Sequence, residues 1–194
     1  MAVPASFEVV EEPISTLADY AQVSISFTVE KVFAIAAGSL VERPTSAPYL
    51  KDYDQIEHPS TWPERFDVSQ WGVIAARMAG QRIGGTVVAC DTPGLAMLEG
   101  RQHCAVLWDI RVSPDWRGHG VGAALFRAAE SWAVARGCRE LYVETQNTNV
   151  PACRFYERQG CTLRAIKRGA YANLPHEIQL IWSKPLVNTG GVTR

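Results

Sequence analysis

Three glycines within five residues, in the run Arg117-Gly118-His119-Gly120-Val121-Gly122-Ala123, carry the strongest chemical signal of this chain. Glycine lets the main chain turn tightly and approach a ligand closely. The run opens a helical apolar period. The first amides of a helix lack intrahelical partners, and the helix dipole favours an anion there. A glycine-rich loop feeding a helix start therefore reads as a cradle for a diphosphate, formed by the backbone N–H groups of Gly118 to Ala123. Arg117 can add a charge-assisted contact. The alternative is a tight strand-to-helix turn with no ligand, but three glycines are more than such a turn needs. A P-loop is excluded, because no lysine follows the glycines. A dinucleotide fingerprint is the closer rival: Gly118, Gly120 and Ala123 fit G-x-G-x-x-A, and Glu144 ends the next strand. Against it, the first glycine comes five residues after Ser113 rather than directly off a strand, and only one strand–helix–strand unit is present.

Other side chains exclude other chemistries. The five cysteines (Cys90, Cys104, Cys138, Cys153, Cys161) are odd in number, widely spaced and without a CxxC pair. They read as buried, reduced thiols rather than a disulfide framework or a zinc site. The four histidines show no ligand spacing, so no metal is expected. A formal net charge of -1 without a basic run gives nucleic acid little electrostatic support. No apolar run approaches the roughly 18 residues of a membrane span. Residues 1–10 lack the basic and apolar regions of a signal peptide, so a cytoplasmic location is expected.

The elements that must position the loop are legible from residue 71 onward. Strands are expected over 71–77 and 83–90, joined by a turn at Ala79-Gly80, and over 105–112, ended by Pro114. A helix follows over 121–136, with Val121, Leu125, Ala128, Trp132 and Ala135 on one stripe and Gly137 as its C-cap. A short buried strand at 141–144 leads to a second helix, capped by Asn149 and running to about Gln159, with Gly160 after it. Strands at 162–170 and 177–183 close the pattern. Earlier, alternation at Val23, Ile25, Phe27 and Val29 suggests a strand, 30–40 is left unassigned, and Pro44, Pro48, Pro59 and Pro63 mark a loop-rich stretch. The tail, 187–194, is expected to be disordered. The order gives an α+β fold: one domain with a mixed, mostly antiparallel twisted sheet flanked by helices. The readable core is 71–185, and 1–70 is the least readable part.

Arg117-x-x-Gly120-x-Gly122 resembles the acetyl-CoA signature (Gln/Arg-x-x-Gly-x-Gly/Ala) of the GNAT family of N-acetyltransferases. Asn149-x-x-Ala152-x-x-Phe155-Tyr156-Glu157-x-x-Gly160-Cys161 resembles that family's second motif, with cysteine where phenylalanine is commoner. Within the family, Val143-Glu144-Thr145-Gln146-Asn147-x-Asn149-x-x-Ala152-Cys153 is similar to streptothricin acetyltransferases. Leu107-Trp108-Asp109-Ile110, Ala170-Tyr171 and Glu177-Ile178 fit the same subgroup, which acetylates the β-lysine part of an antibiotic.

The resemblance implies acetyl-CoA as co-substrate and a small amine as acceptor, with residues 1–70 as the variable region on the acceptor side; a monomer or homodimer is expected. The amine attacks the thioester directly within a ternary complex. Beside Arg117, Gly118, His119, Gly120, Val121, Gly122 and Ala123 at the pyrophosphate, the main chain of Ile110, Arg111 and Val112 would pair with the pantetheine arm. The Val112 N–H would polarise the thioester carbonyl. Asn149, Ala152 and Tyr156 also face the cofactor in this reading, Asn149 capping its helix as well. Tyr156 is the candidate general acid for the departing thiolate, or else a core tyrosine; Phe155 reads as core. Glu144 is the first candidate for the base and Asp109 the second; a water chain could serve equally well. Asp109 reads equally as a structural acceptor or a partner for a substrate cation. Asp52, Asp54, Asp67 and Glu177 could supply negative potential, and Trp108 and Tyr171 apolar or cation–π walls, for a cationic acceptor. A peptide amine as acceptor, or cofactor binding without turnover, are the alternatives.

Overall fold

A computed structural model describes residues 6–36 and 38–187. Apart from an exposed Val187, the tail therefore lies outside the described residues. In chain order the elements are β1 (Glu8–Glu12), α1 (Leu17–Tyr20), β2 (Phe27–Ala36), β3 (Ser39–Lys51), α2 (Trp62–Arg65), β4 (Gly72–Met78), β5 (Gln81–Cys90), β6 (Cys104–Val112), α3 (Val121–Ala135), β7 (Glu140–Gln146), α4 (Val150–Arg158), β8 (Thr162–Arg168) and β9 (Ile178–Pro185). Seven strands pair in the order β1-β4-β5-β6-β7-β9-β8, and β2 pairs with β3. This is the mixed, mostly antiparallel sheet expected from the sequence.

The described residues fall into two compact units: 6–24, 58–142 and 185–187 in one, 25–36, 38–57 and 143–184 in the other. Residue 70 is no boundary between them, since the first seventy residues contribute to both.

In the first unit β1, not anticipated from the sequence, pairs antiparallel with β4 from Glu8↔Arg77 to Glu12↔Val73. The β4–β5 turn is the expected one: Ala79 (φ 48°) and Gly80 (φ 79°) are both left-handed, the geometry that matches hairpin twist. Val73, Ala75, Val87, Ala89 and Val106 are fully buried. Helix α3 buries Val121, Leu125, Phe126, Ala129, Trp132 and Ala133. The expected stripe is therefore shifted: Ala128 is half-buried and Ala135 exposed. A single row of i, i+4 positions is narrower than the face a helix presents to a sheet. Burying Phe126 stabilises by about 1.5–3 kcal/mol, which two alanines do not match. Gly137, at φ 77°, ends the helix as expected, with the Cys138 N–H on Ala133 O at 3.0 Å.

In the second unit the expected strand around 23–29 begins only at Phe27 and continues through the unassigned stretch to Ala36. The stretch expected to be loop-rich is in part a thirteen-residue strand, β3, which contains Pro44 and Pro48. The register explains the tolerance. Phe33 turns its N–H and carbonyl away from β3, to the main-chain O (2.9 Å) and Nδ2 (2.8 Å) of Asn147. Pro44 stands opposite Lys31, two residues along from the Phe33↔Glu42 pair, so its missing N–H also falls on the outward side. Asn147 further ties β7 to β9, its Oδ1 accepting from Ile178 N at 2.8 Å. Helix α4 starts at the expected cap, Asn149 Oδ1 accepting from Ala152 N at 3.1 Å.

Candidate active site

The glycine loop lies in the first unit. Strand β6 stops at Val112, Ser113 N bonds Ile83 O at 2.9 Å, and a short turn over Pro114–Trp116 delivers the chain to Arg117. Gly118 (φ 81°) and Gly120 (φ 83°) are left-handed. A Cβ at either would meet nothing within 4 Å, so the backbone conformation rather than crowding calls for glycine. Gly120 is the N-cap of α3 and has no side chain with which to cap the amides of the first turn, which also contains no acidic residue. The loop is thus left-handed, uncapped and donor-rich, which fits an anionic diphosphate. Arg117 is exposed; its Nε donates to Val112 O (3.0 Å) and Nη2 to Ser24 O (3.4 Å), so it braces the turn after β6. His119 Nδ1 lies 3.0 Å from Arg117 O, and its ring stands edge-on to Trp116.

Strand β6 is irregular at a point that no local pattern marks. Val87 pairs with Asp109 and Val88 with Leu107, which leaves Trp108 as an extra residue in a bulge. Ile110 and Val112, below it, are half-buried. The Trp108 ring packs against Trp62, Phe66 and Trp71, with centroids 6.2, 5.4 and 5.4 Å away. Asp109 accepts from Arg111 Nε at 3.1 Å and Nη2 at 2.8 Å, and from the Tyr20 hydroxyl. The two charged side chains are 1% (Arg111) and 9% (Asp109) exposed, a bidentate pair whose charges cancel. Arg111 also lies 4.7 Å from the Tyr20 ring centroid. Burial, then the Asp109 anion, holds the Tyr20 phenol well above the ordinary tyrosine range. Gly85 makes room: a Cβ there would sit 2.8 Å from the Tyr20 ring.

The second unit holds the remaining candidates. Glu144, half-buried in β7, accepts from the Tyr171 hydroxyl at 2.7 Å. Burial first, and Glu144 second, push the Tyr171 phenol far above its usual range. Glu177 is paired through both oxygens with Lys51, which is itself 7% exposed. Asn149 Nδ2 lies 3.4 Å from the Tyr53 hydroxyl, and burial holds that phenol well above the usual range. Tyr156 is 5% exposed and packs edge-on against Phe155, which is only half-buried; the residue expected to be core is the more open of the two. Asp52 and Asp67 each cap a short turn, accepting from Asp54 N at 3.1 Å and Ser69 N at 2.9 Å. Burial pushes the Cys138 thiol up to about 11 and the Cys153 thiol up to about 12, which makes both poor nucleophiles.

A family model described as "Acetyltransferase (GNAT) family" matches residues 39–161. The chain belongs to the GNAT acetyltransferase family. As a GNAT enzyme it is an acetyl-CoA-dependent N-acetyltransferase, and the loop at 117–123 falls within the matched residues. Streptothricin acetyltransferase A of Bacillus subtilis (strain 168) is 29% identical over 143 residues, 73% of this chain and 76% of that one. A crystal structure of nourseothricin acetyltransferase superposes with a TM-score of 0.75 at 26% identity, covering 93% of this chain and 99% of the other. A Bacillus anthracis protein solved with acetyl coenzyme A has the same fold: TM-score 0.75, 24% identity, 94% and 99% coverage.

Within this GNAT enzyme, sequence reasoning overlooked Tyr20, Lys51 and Tyr53. Lys51–Glu177 pair across 126 residues and Tyr20–Asp109 across 89, separations at which local pattern carries no signal. One cue did exist: Asp109 was a carboxylate inside an apolar strand, and a buried charge implies a partner.

Proposed function

We propose that this enzyme transfers the acetyl group to a primary amine of a small cationic acceptor of the streptothricin kind, by direct attack in a ternary complex. Glu144 carries this reading. Asp109 and Glu177 each have a cation in contact, Arg111 and Lys51. Glu144 is held by a neutral phenol and makes no ion pair among the described residues. No neighbouring cation among the described residues offsets its carboxylate toward a cationic amine, and it has an oxygen for the proton that the amine must lose before it attacks. The resemblance in sequence and fold to streptothricin and nourseothricin acetyltransferases supports the acceptor class.

The other roles follow the loop and strand. Amides of Gly118 to Ala123, with Arg117, hold the pyrophosphate; main chain of Ile110 to Val112 lies along the pantetheine, the Val112 N–H polarising the thioester carbonyl. Asn149 and Ala152 hold the cofactor at the start of α4. Tyr156 gives its proton to the departing thiolate; a phenol of ordinary value about 10 is protonated at neutral pH. Trp108 and Tyr171 wall the acceptor.

The test is CoA-thiol release from acetyl-CoA with streptothricin, polyamines, aminoglycosides, free lysine and N-terminal peptides as acceptors. Release is expected with streptothricin. Release with peptides alone would overturn the small-acceptor reading, and tight acetyl-CoA binding with silence across the panel would overturn turnover of such amines altogether.

A further inference from the structure

We infer that Tyr171 is the positioning residue of the base, its hydroxyl holding the Glu144 carboxylate in one orientation as an anion. This rests on the reading of Glu144 as the base. The geometry begins with strand alternation: Glu144 and Gln146 are half-buried on β7, whereas Val143, Thr145 and Asn147 are buried, so the two polar side chains share one face. Tyr171, in the β8–β9 connection, lies over that face and donates to Glu144 Oε1 at 2.7 Å. Its segment is pinned rather than slack, with Leu174 N on Tyr171 O (3.2 Å) and Glu177 N on Leu174 O (3.0 Å).

The phenol has one proton to give, and it goes to Glu144. Burial and the neighbouring carboxylate keep that proton on Tyr171 across the working range. A lysine or arginine in this place would fix the carboxylate equally well but cancel its charge, as Lys51 and Arg111 do for Glu177 and Asp109. A phenol orients without neutralising.

The first test needs no acceptor. In protein carrying 13Cζ-tyrosine, the Tyr171 resonance, assigned by its loss in Y171F, is expected to move in E144Q. An unmoved resonance would overturn the inference. The second test is kinetic, with acetyl-CoA and streptothricin. In Y171F the carboxylate loses its fixed orientation, so kcat should fall about 10-fold, the scale of one hydrogen bond to a charged group, while KM for streptothricin and for acetyl-CoA stay as in the wild type. A raised KM for streptothricin with kcat unchanged would make Tyr171 only a wall of the acceptor site and overturn the inference. Y171F should add nothing further in an E144Q background. Wild-type turnover in E144Q alone would instead defeat the base assignment, while the resonance test would still report the Tyr171–Glu144 bond.

Discussion

At the residue scale, three of the carboxylates read from the sequence as base or as negative charge for the acceptor amine end with different partners. Asp109 is locked to Arg111 and Tyr20, Glu177 to Lys51, and Glu144 to a phenol. The first two are structural in their contacts, and this has a measurable consequence. D109N would leave the Arg111 guanidinium, 1% exposed in its side chain, without its anion. Removing one partner of a buried pair costs about 3–5 kcal/mol, so urea unfolding of D109N should show a loss of that size. A variant as stable as the wild type would mean that Asp109 is not the structural acceptor described. Tyr156 is tested oppositely, since its role concerns rate. Y156F keeps the buried ring of α4 and removes the hydroxyl, so kcat should fall about 10²–10⁴-fold while the acetyl-CoA Kd changes far less. Wild-type turnover would return Tyr156 to the core.

At the scale of elements, the loop before α3 separates conformation from binding. Gly120, at φ 83°, is strained with any side chain, by about 1–2 kcal/mol, yet nothing lies within 4 Å of an added Cβ. G120A should therefore fold with a modestly lowered Tm. G120E places a carboxylate before the same amides, and its acetyl-CoA affinity, by calorimetry, should fall at least about 100-fold. Unchanged affinity would remove the loop from the site. This element was legible because its signal is local: glycines at fixed spacing, then a helical period, then Gly137. The β4–β5 turn, the cap at Asn149 and the strands from Gly72 onward were legible for the same reason. The ribbon of β2 and β3 was not. Pro44 argues against a strand unless its outward side is known, a side it shares with Phe33, whose partner Asn147 is more than a hundred residues away; Pro48 falls in the register shift between the Val29↔Tyr49 and Lys31↔Pro44 pairs. The bulge at Trp108 was equally hidden, since it exists only as a register against β5. β1 is five residues long with three glutamates, too short and too charged to show a period.

At the scale of the molecule, burial holds the protons of tyrosines and cysteines alike. Tyr20 in one unit, and Tyr53 and Tyr171 in the other, are all held protonated by burial well above the ordinary value of about 10. The thiols of Cys138 and Cys153 are held likewise, up to about 11 and about 12. Below pH about 8 folded and unfolded chains both keep these protons, and the stabilisation is fully present. Above about 8.5 the unfolded chain releases those of the two thiols, and above about 10 those of the phenols, while the folded chain does not, so stability falls as pH rises. For Tyr20, which has no exposed surface, the slope is about 1.4 kcal/mol per pH unit beyond pH about 10, and Tyr53 and Tyr171 add to it in the same direction. Urea unfolding followed from about pH 7 to about pH 11 should thus show a flat region, a decline that begins with the thiols and a steeper one beyond about 10 with the phenols. Y20F lowers the plateau by loss of the Asp109 bond but should shed one proton's share of the slope. A Y20F slope as steep as that of the wild type would show that the Tyr20 phenol ionises in the folded protein as readily as in the unfolded chain, and its bond to Asp109 would then not persist in solution.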